Sequence, residues 1–502
     1  MKILFINPCI RKGANNKMLP VGLACVMTYV SKHGYSFDLL DIDAYDLSDE
    51  EVEKYIRDNK YDVYLYGSIV THYKWVKWLT NSIKRHHPDS FIIVGNSVAG
   101  SCYEVFMKNA PNDVSIIGEG EVTTLEVLNA LKNNTPLNIV PGIAYRDGNK
   151  IYKTPKRKGE KLDNLPMVNW DFFDIERYLG SQSVRYSMGT DNKTVTMPVV
   201  TARGCAFKCT FCHYVFWDDP YRYRNPEDVI REIKRNIERY GANYINFWDD
   251  LSFGSLPQVE RMVDMILASG LEFGWSAAIR TDLFGNPKHS YEKRLTVARK
   301  MKQSGCKAVG FSLESGNQQI LNMMDKRINP EYFTNQIDIL REVGIVSNTS
   351  VVFGYPIETP KTIQETFDMC YKNKVYPSIG FLLPLPYTKM YDYAKDNGFI
   401  TDENAFLDAI TERQDLCLNM TNMSQEEVMD QIKTGAERLN QLLKLNLNED
   451  TYIKTGGYKK HTNKKIQLKM PLNPNNIKRN ENDFTFNYSE AVFEIDQGID
   501  NT

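Results

Sequence analysis

Twice along this chain, short apolar runs alternate with amphipathic stretches of helical period, and no other feature narrows the fold as much. In the first block the apolar runs are residues 2–7, 37–42, 62–66, 91–94 and 114–117. Helical stretches separate them at 19–32, 49–59 and 74–86, and another follows at 123–131. In the second block the runs are residues 195–201, 244–248, 272–278, 308–312, 346–353 and 378–382, with helices expected at 225–240, 258–268, 290–304, 330–342 and 359–374. Strands joined through helices run parallel, because the crossover returns the chain to the same end of the sheet. The expectation is an α/β protein in four parts. A doubly wound, Rossmann-like domain spans 1–145, a linker 146–195, a partial (β/α)6 TIM-like barrel 196–400, and a mainly helical C-terminal region with a loosely ordered tail 401–502.

The remaining stretches are less regular. Residues 146–163, rich in Lys, Arg and Gly, predict a hairpin and crossover; 174–178 predict one helical turn, and the polar run 180–192 a surface loop. Beyond the barrel, helices are expected at 404–410 and 425–443, covering the substrate side of the barrel. Ser424 and Glu427 form a capping box at the start of the second. From residue 445 the chain is rich in Asn and Lys, although 484–495 alternates enough for a strand or two.

Folds of this class bind ligands beyond the carboxyl ends of their strands. In the second block those ends carry Asp249-Asp250, Arg280-Thr281-Asp282, Glu314-Ser315-Gly316, Gly354-Tyr355-Pro356 and Pro384-Leu385-Pro386-Tyr387-Thr388. A buried salt bridge at the barrel mouth is the structural alternative for Asp249 or Arg280. The first strand leads into Arg203-Gly204-Cys205-Ala206-Phe207-Lys208-Cys209-Thr210-Phe211-Cys212, with the spacing C-x3-C-x2-C. Three thiolates on one loop suit three irons of a four-iron four-sulfur cluster, leaving the fourth iron open for chemistry. A structural zinc site is the ordinary alternative, but it usually needs a fourth Cys or His. His213 is badly placed to close the same tetrahedron as its neighbour Cys212. Phe211 is positioned to shield a cluster from water, and Tyr214, Phe216, Trp217, Tyr221 and Tyr223 read mainly as packing of a long loop.

This cysteine segment after a strand resembles the signature of the radical S-adenosylmethionine (radical SAM) enzymes. The resemblance implies Cys205, Cys209 and Cys212 as cluster ligands. It also implies Phe211, Asp249, Asp250, Arg280, Glu314, Ser315 and Gly354 around S-adenosylmethionine. Arg280 would pair with the carboxylate, since a planar guanidinium matches that anion. Tyr387 stands where the family commonly has glycine. The first block is similar to the cobalamin-binding domain fused to many of these enzymes, through residues 19–24, 95–97 and 117–121. That similarity implies Pro20, Gly22, Ser68, His72, Gly95, Ser97, Gly118, Glu119 and Gly120 around cobalamin, with 67–72 near the cobalt face. The D-x-H-x-x-G motif that supplies a cobalt-ligating histidine elsewhere is absent, so the lower ligand is left open.

Composition narrows the function classes. A formal net charge of -2, with both signs spread along 502 residues, lacks the basic excess of a nucleic-acid binder. There is no G-x-G-x-x-G for a nicotinamide or flavin, and no H-E-x-x-H. Nine cysteines, only three of them clustered, fit a reducing, cytosolic compartment better than a disulfide framework. The first apolar run is too short for a signal peptide, and no stretch reaches the roughly 18 apolar residues of a membrane span.

The resemblance implies a cobalamin-dependent enzyme that methylates an unactivated carbon of a small molecule, through a 5′-deoxyadenosyl radical and methylcobalamin. A flavodoxin or ferredoxin would supply electrons to a monomer. Such a carbon has no usable acidity, so no side-chain acid or base is named as catalytic. A non-methylating cyclase or ring-rearranging enzyme on the same scaffold is the alternative. An iron–sulfur redox sensor is an alternative of another class.

Overall fold

The computed structural model describes residues 1–13, 17–179, 194–213 and 219–453. The expected loop 180–192, the strand at 484–495 and the aromatics Tyr214, Phe216 and Trp217 lie outside the described residues.

The first sheet holds seven strands: β1 (Ile3–Asn7), β2 (Asp38–Asp41), β3 (Val63–Gly67), β4 (Phe91–Gly95), β5 (Val114–Ile116), β6 (Ile143–Asp147) and β7 (Lys150–Lys153). Their order is β2-β1-β3-β4-β5-β6-β7. The first five are parallel, and β6 and β7 add an antiparallel hairpin at the edge. The hairpin expected in the linker therefore extends this sheet. Alternate residues face opposite layers, as a strand's period of two dictates. Ile3, Phe5, Val63, Leu65 and Ile93 pack with the helices Val21–Lys32 and Gly120–Asn133. Leu4, Ile6, Tyr64, Tyr66, Ile92 and Val94 pack with Asp49–Asp58, Tyr73–His86 and Tyr103–Asn109. β1 lies between β2 and β3, so chain direction across the sheet reverses there; ligands of such sheets bind at that switch point.

The second sheet begins at β8 (Thr196–Val199). A small ribbon follows, in which β9 (Ala202–Arg203) pairs antiparallel with β10 (Arg222–Tyr223). Then come β11 (Tyr244–Phe247), β12 (Gly274–Ala278), β13 (Cys306–Glu314), β14 (Val346–Phe353) and β15 (Ser378–Phe381). The order β8-β11-β12-β13-β14-β15 is parallel throughout, and β8 and β15 remain as edges, so the barrel is open. Its strands are joined through Pro226–Tyr240, Leu256–Ser269, Tyr291–Gln303, Pro330–Glu342 and Pro360–Lys372. Prolines in the first turn of four of these helices suit a position whose N–H has no helical partner. Asn225 takes the N-cap position of the first, but its side chain makes no cap bond and instead accepts from Arg261 at 3.2 Å.

Of the two C-terminal helices, the second does not lie where the sequence placed it. Glu403–Ala409 packs against Tyr73–His86 and Tyr103–Asn109 of the first domain, with Tyr73 donating to Asn404 at 2.9 Å. Leu407 and Ile410 join that domain's core. Gln425–Leu443, opened by the Ser424–Glu427 capping box, lies along the outer helix Pro360–Lys372 instead of over the mouth. Amphipathic period announces a buried face but not its partner. No helix among the described residues is long and apolar enough to cross a membrane.

One close approach shapes the carboxyl end of the first sheet. Gly67 and Gly95 are register partners at the ends of β3 and β4, and a β-carbon on Gly67 would sit 2.8 Å from the Gly95 carbonyl. Gly67→Ala is expected to lower the unfolding free energy by about 1–3 kcal/mol, read by urea denaturation. Unchanged stability would mean that the two strands are free to part there.

Candidate functional site

The cysteine loop hangs from the end of β8 by a buried carboxylate. Asp249, at the end of β11, accepts from the Thr201 amide (2.8 Å), the Thr201 hydroxyl (2.6 Å) and the Ala202 amide (2.9 Å). Burial raises its pKa against these donors. Its side chain is thus committed to the start of the loop, not exposed for a ligand as expected. Asp250, next in sequence, is exposed and close enough to Cys212 to act on its thiol electrostatically.

Within the loop Cys205 is half-buried, Cys209 buried and Cys212 exposed. Thr210 anchors it three ways: its amide donates to the Met324 carbonyl at 2.9 Å, its hydroxyl to that of Met323 at 3.0 Å, and its carbonyl accepts from Met390 at 3.1 Å. The Phe211 ring meets Tyr355 edge-on, 6.3 Å between centroids. Burial raises the Cys209 thiol, while the cations Lys326 and Arg280 oppose the rise. A cationic setting of this kind favours the thiolate that binds iron. Among the described residues no three His, Cys, Asp or Glu side chains gather closely enough for a single metal ion. The donor set is soft thiolate throughout, which suits an iron–sulfur cluster.

The other strand ends converge on the same loop. The Arg280 guanidinium lies 3.3 Å from the Phe207 ring centroid, pairs with Asp282 at 2.9 Å and donates to the Lys326 carbonyl at 2.9 Å. Glu314, buried at the end of β13, pairs with Lys326 at 2.7 Å. Burial works against the Lys326 ammonium, but Glu314 and Cys209 outweigh it and its pKa is raised. Ser315 turns away from the mouth: its hydroxyl accepts from the Asn317 amide at 3.1 Å and meets Thr366 at 3.3 Å. Gly354 takes φ 96°, open to glycine, beyond β14. Tyr387 keeps a positive φ of 75°, so a bulky residue adopts the backbone that glycine would take at little cost.

Sequence reasoning missed two charged groups here. Lys326 sits in an irregular turn with no periodic signal. Glu358 closes the segment that begins at Gly354 but was given no role of its own; it is buried, accepts from the Gly354 amide at 2.5 Å, and has no hydrogen-bond partner for Oε1 among the described residues. Burial pushes its pKa up to about 8, against the Gly354 and Tyr355 amides.

The first domain brings its own strand ends to this mouth. Ser101, in the segment after β4, lies 3.2 Å from His213 Nε2, the residue following Cys212. Burial pushes the His213 pKa down to about 4, with the Pro386 carbonyl opposing. Beyond β5, Glu121 pairs with Arg203 at 2.5 Å, and Glu119 pairs with Arg203 at 3.5 Å and with Arg222. The Glu119 carboxylate therefore joins the domains instead of standing free, a use that its charge alone could not reveal. Gly118 and Gly22 have open space where a β-carbon would point. Pro20 precedes the helix Val21–Lys32 and Gly120 begins the helix Gly120–Asn133. Ser97 accepts from the Val70 amide at 2.9 Å. His72 Nδ1 lies 3.0 Å from the buried Ser68 hydroxyl, and its ring stacks on Trp75 at 4.8 Å. Burial, helped by Lys12, pushes the His72 pKa down to about 4, so the imidazole is neutral near pH 7. Ser68 and Trp75 fix the orientation of the ring, which the sequence could not display.

Residues 199–370 match the Radical SAM superfamily, and residues 9–128 match the B12 binding domain. The chain belongs to the cobalamin-binding radical SAM enzymes. An uncharacterized methyltransferase of Pyrococcus horikoshii is 26% identical over 414 residues, covering 80% of this chain and 85% of that protein. The anaerobic magnesium-protoporphyrin IX monomethyl ester cyclase of Rubrivivax gelatinosus is 27% identical over 417 residues, covering 80% and 71%. The cobalamin-dependent S-adenosylmethionine radical enzyme OxsB, solved with aqua-cobalamin and S-adenosylmethionine, superposes with a TM-score of 0.63 at 18% identity. The overlap is 79% of this chain but only 55% of the OxsB chain, so the likeness speaks for the fold. As a radical SAM protein the chain is an enzyme, which sets aside the redox-sensor alternative, and its cofactors are a 4Fe-4S cluster, S-adenosylmethionine and cobalamin.

Glu358 gives this site a measurable pH signature. Its folded pKa of about 8 lies above the ordinary carboxylate value, so unfolding releases a proton between about pH 4.5 and 8 and stability falls as pH rises through that window. Glu358→Gln removes this loss. The variant should gain on the parent by a few kcal/mol at pH 8 compared with pH 5, roughly 1.4 kcal/mol for each pKa unit. Parallel stability–pH curves for the two proteins would refute the buried neutral carboxyl.

Proposed function

We propose that this enzyme transfers a methyl group to an unactivated carbon of a small molecule, by radical chemistry started at Cys205, Cys209 and Cys212. One observation carries the reading: the Ser101–His213 contact ties the loop beyond β4 to the residue after the last cysteine. Loops belonging to both cofactor domains thus border one space, as a reaction that uses both cofactors requires. When bound, the cofactors supply the one-electron cleavage of S-adenosylmethionine and a transferable methyl group.

The chain's own residues position and shield. Cys205, Cys209 and Cys212 hold the cluster, Asp249 fixes the backbone that presents them, and Phe211 with Tyr355 limits water. Asp250 and Arg280 offer opposite charges to the amino and carboxylate groups of S-adenosylmethionine, and Gly354 lets backbone approach. Glu314 and Ser315 act from behind, through Lys326 and Thr366. On the cobalamin side we assign Pro20, Gly22, Ser68, His72, Gly95, Ser97, Gly118 and Gly120, with Glu119 acting through its arginine pairs. A neutral His72 with Nδ1 held by Ser68 has the protonation state and fixed ring of a cobalt ligand. A flavodoxin or ferredoxin is the proposed electron donor to a monomer in the cytosol. The likeness to a cyclase keeps a non-methylating ring-forming outcome as the second reading.

Anaerobic reconstitution with cobalamin should give about four irons and one cobalt per chain. Alanine at any one of the three cysteines should remove most of the iron and all 5′-deoxyadenosine formation. Label from the S-adenosylmethionine methyl group should appear in product; substrate consumed without label would leave the ring-forming reading. Iron without cobalt would reduce the first domain to a docking module.

A further inference from the structure

Glu314 and both neighbours of Lys326 sit on backbone that most residues avoid. Glu314 takes φ 62°, and the β13–β14 register shifts between Ser312 and Glu314. Lys326 lies between Asp325 (φ 49°) and Arg327 (φ 56°). Left-handed backbone is unfavourable for side chains of this kind, and it persists only where its surroundings over-determine it. The turn that carries Lys326 is tied to the cysteine loop twice. Met323 and Met324 accept from Thr210 at 3.0 and 2.9 Å, and the Lys326 carbonyl accepts from Arg280, whose guanidinium rests on Phe207. The Lys326 side chain is buried with Glu314 (12% and 6% exposed) and close enough to Cys209 to act on its thiol.

A stability role explains this arrangement poorly, because a buried ion pair is often replaceable by apolar side chains at no loss. We propose that Lys326 is a positioning residue whose fixed charge sets the reduction potential of the cluster held at Cys205, Cys209 and Cys212, with Glu314 as the counterweight that limits its effect. The step concerned is the gain of one electron from a low-potential donor, with no bond made or broken. The reduced cluster carries one more negative charge than the oxidised one. A neighbouring ammonium therefore favours reduction and a neighbouring carboxylate opposes it. The inference rests on the cluster assignment above.

The test is an EPR-monitored redox titration of the anaerobically reconstituted full chain, without S-adenosylmethionine, after iron and sulfide have been quantified. Lys326→Met should lower the midpoint. At fixed potential the reduced-to-oxidised ratio should fall about tenfold, which is 59 mV for one electron. Glu314→Gln should raise it, and Lys326→Arg should hold it near the parent value. Shifts of the same sign in Lys326→Met and Glu314→Gln, or no shift in either, overturn the proposal and leave Lys326 as a mere partner for Glu314. If Lys326→Met retains no cluster, the sign of the Glu314→Gln shift decides alone. A parent protein without iron and sulfide would defeat the cluster assignment itself, a separate result from a loaded parent whose variants fail to shift.

Discussion

Two carboxylates and two guanidinium groups hold the molecule's working surfaces together. Glu119 and Glu121 stand beyond β5 of the first sheet; Arg203 and Arg222 stand in the β9–β10 ribbon beside the cysteine loop. All four side chains are largely buried, so each charge depends on its partners for the solvation that water would otherwise give. Losing one would leave another uncompensated in the junction. The same pairs join segments beyond the strands of the two sheets, and Ser101 and His213 add a further contact between the domains. Loops beyond the strands of both domains thereby meet.

The barrel side is built around a second electrostatic set. Asp249 gathers three donors at the root of the cysteine loop, while Arg280 and Lys326 place positive charge next to Cys209. Thiolates on an iron–sulfur cluster leave an anionic centre, so cations nearby lower the cost of burying it. Unusual backbone clusters in the same area, at Glu314, Asp325, Arg327, Gly354 and Tyr387. Conformations of this kind gather where side-chain placement matters more than local stability.

Much of this was legible from residues alone, for definite reasons. Strand-like apolar runs and helical periods recur so regularly that both sheets and nearly all major helices follow from them. The helices at Pro330–Glu342 and Gln425–Leu443 begin and end where the pattern says. Short helices at Gln318–Met323 and Lys389–Asp396 escaped because six or eight residues show too little period. The β6–β7 hairpin was expected, but its pairing with β5 was not, since an edge strand carries no mark of its neighbour. Asp249, Ser315 and Glu119 were picked out as ligand contacts largely through the family resemblance; their side chains hold backbone or the domain junction. Residue type and strand-end position do not say which way a carboxylate turns.

The sequence by itself determined an α/β chain with two sheets built on parallel strands and a three-thiolate loop at the mouth of the second. Those features depend on local period and on cysteine spacing, both of which are properties of short segments. Tertiary structure alone decided what each charged group does. Glu119 and Glu121 became a junction, Asp249 a clasp, and Lys326 a buried cation next to Cys209, because these roles depend on partners dozens of residues away. Burial, which no single segment determines, also makes His72 neutral and Glu358 a weak acid.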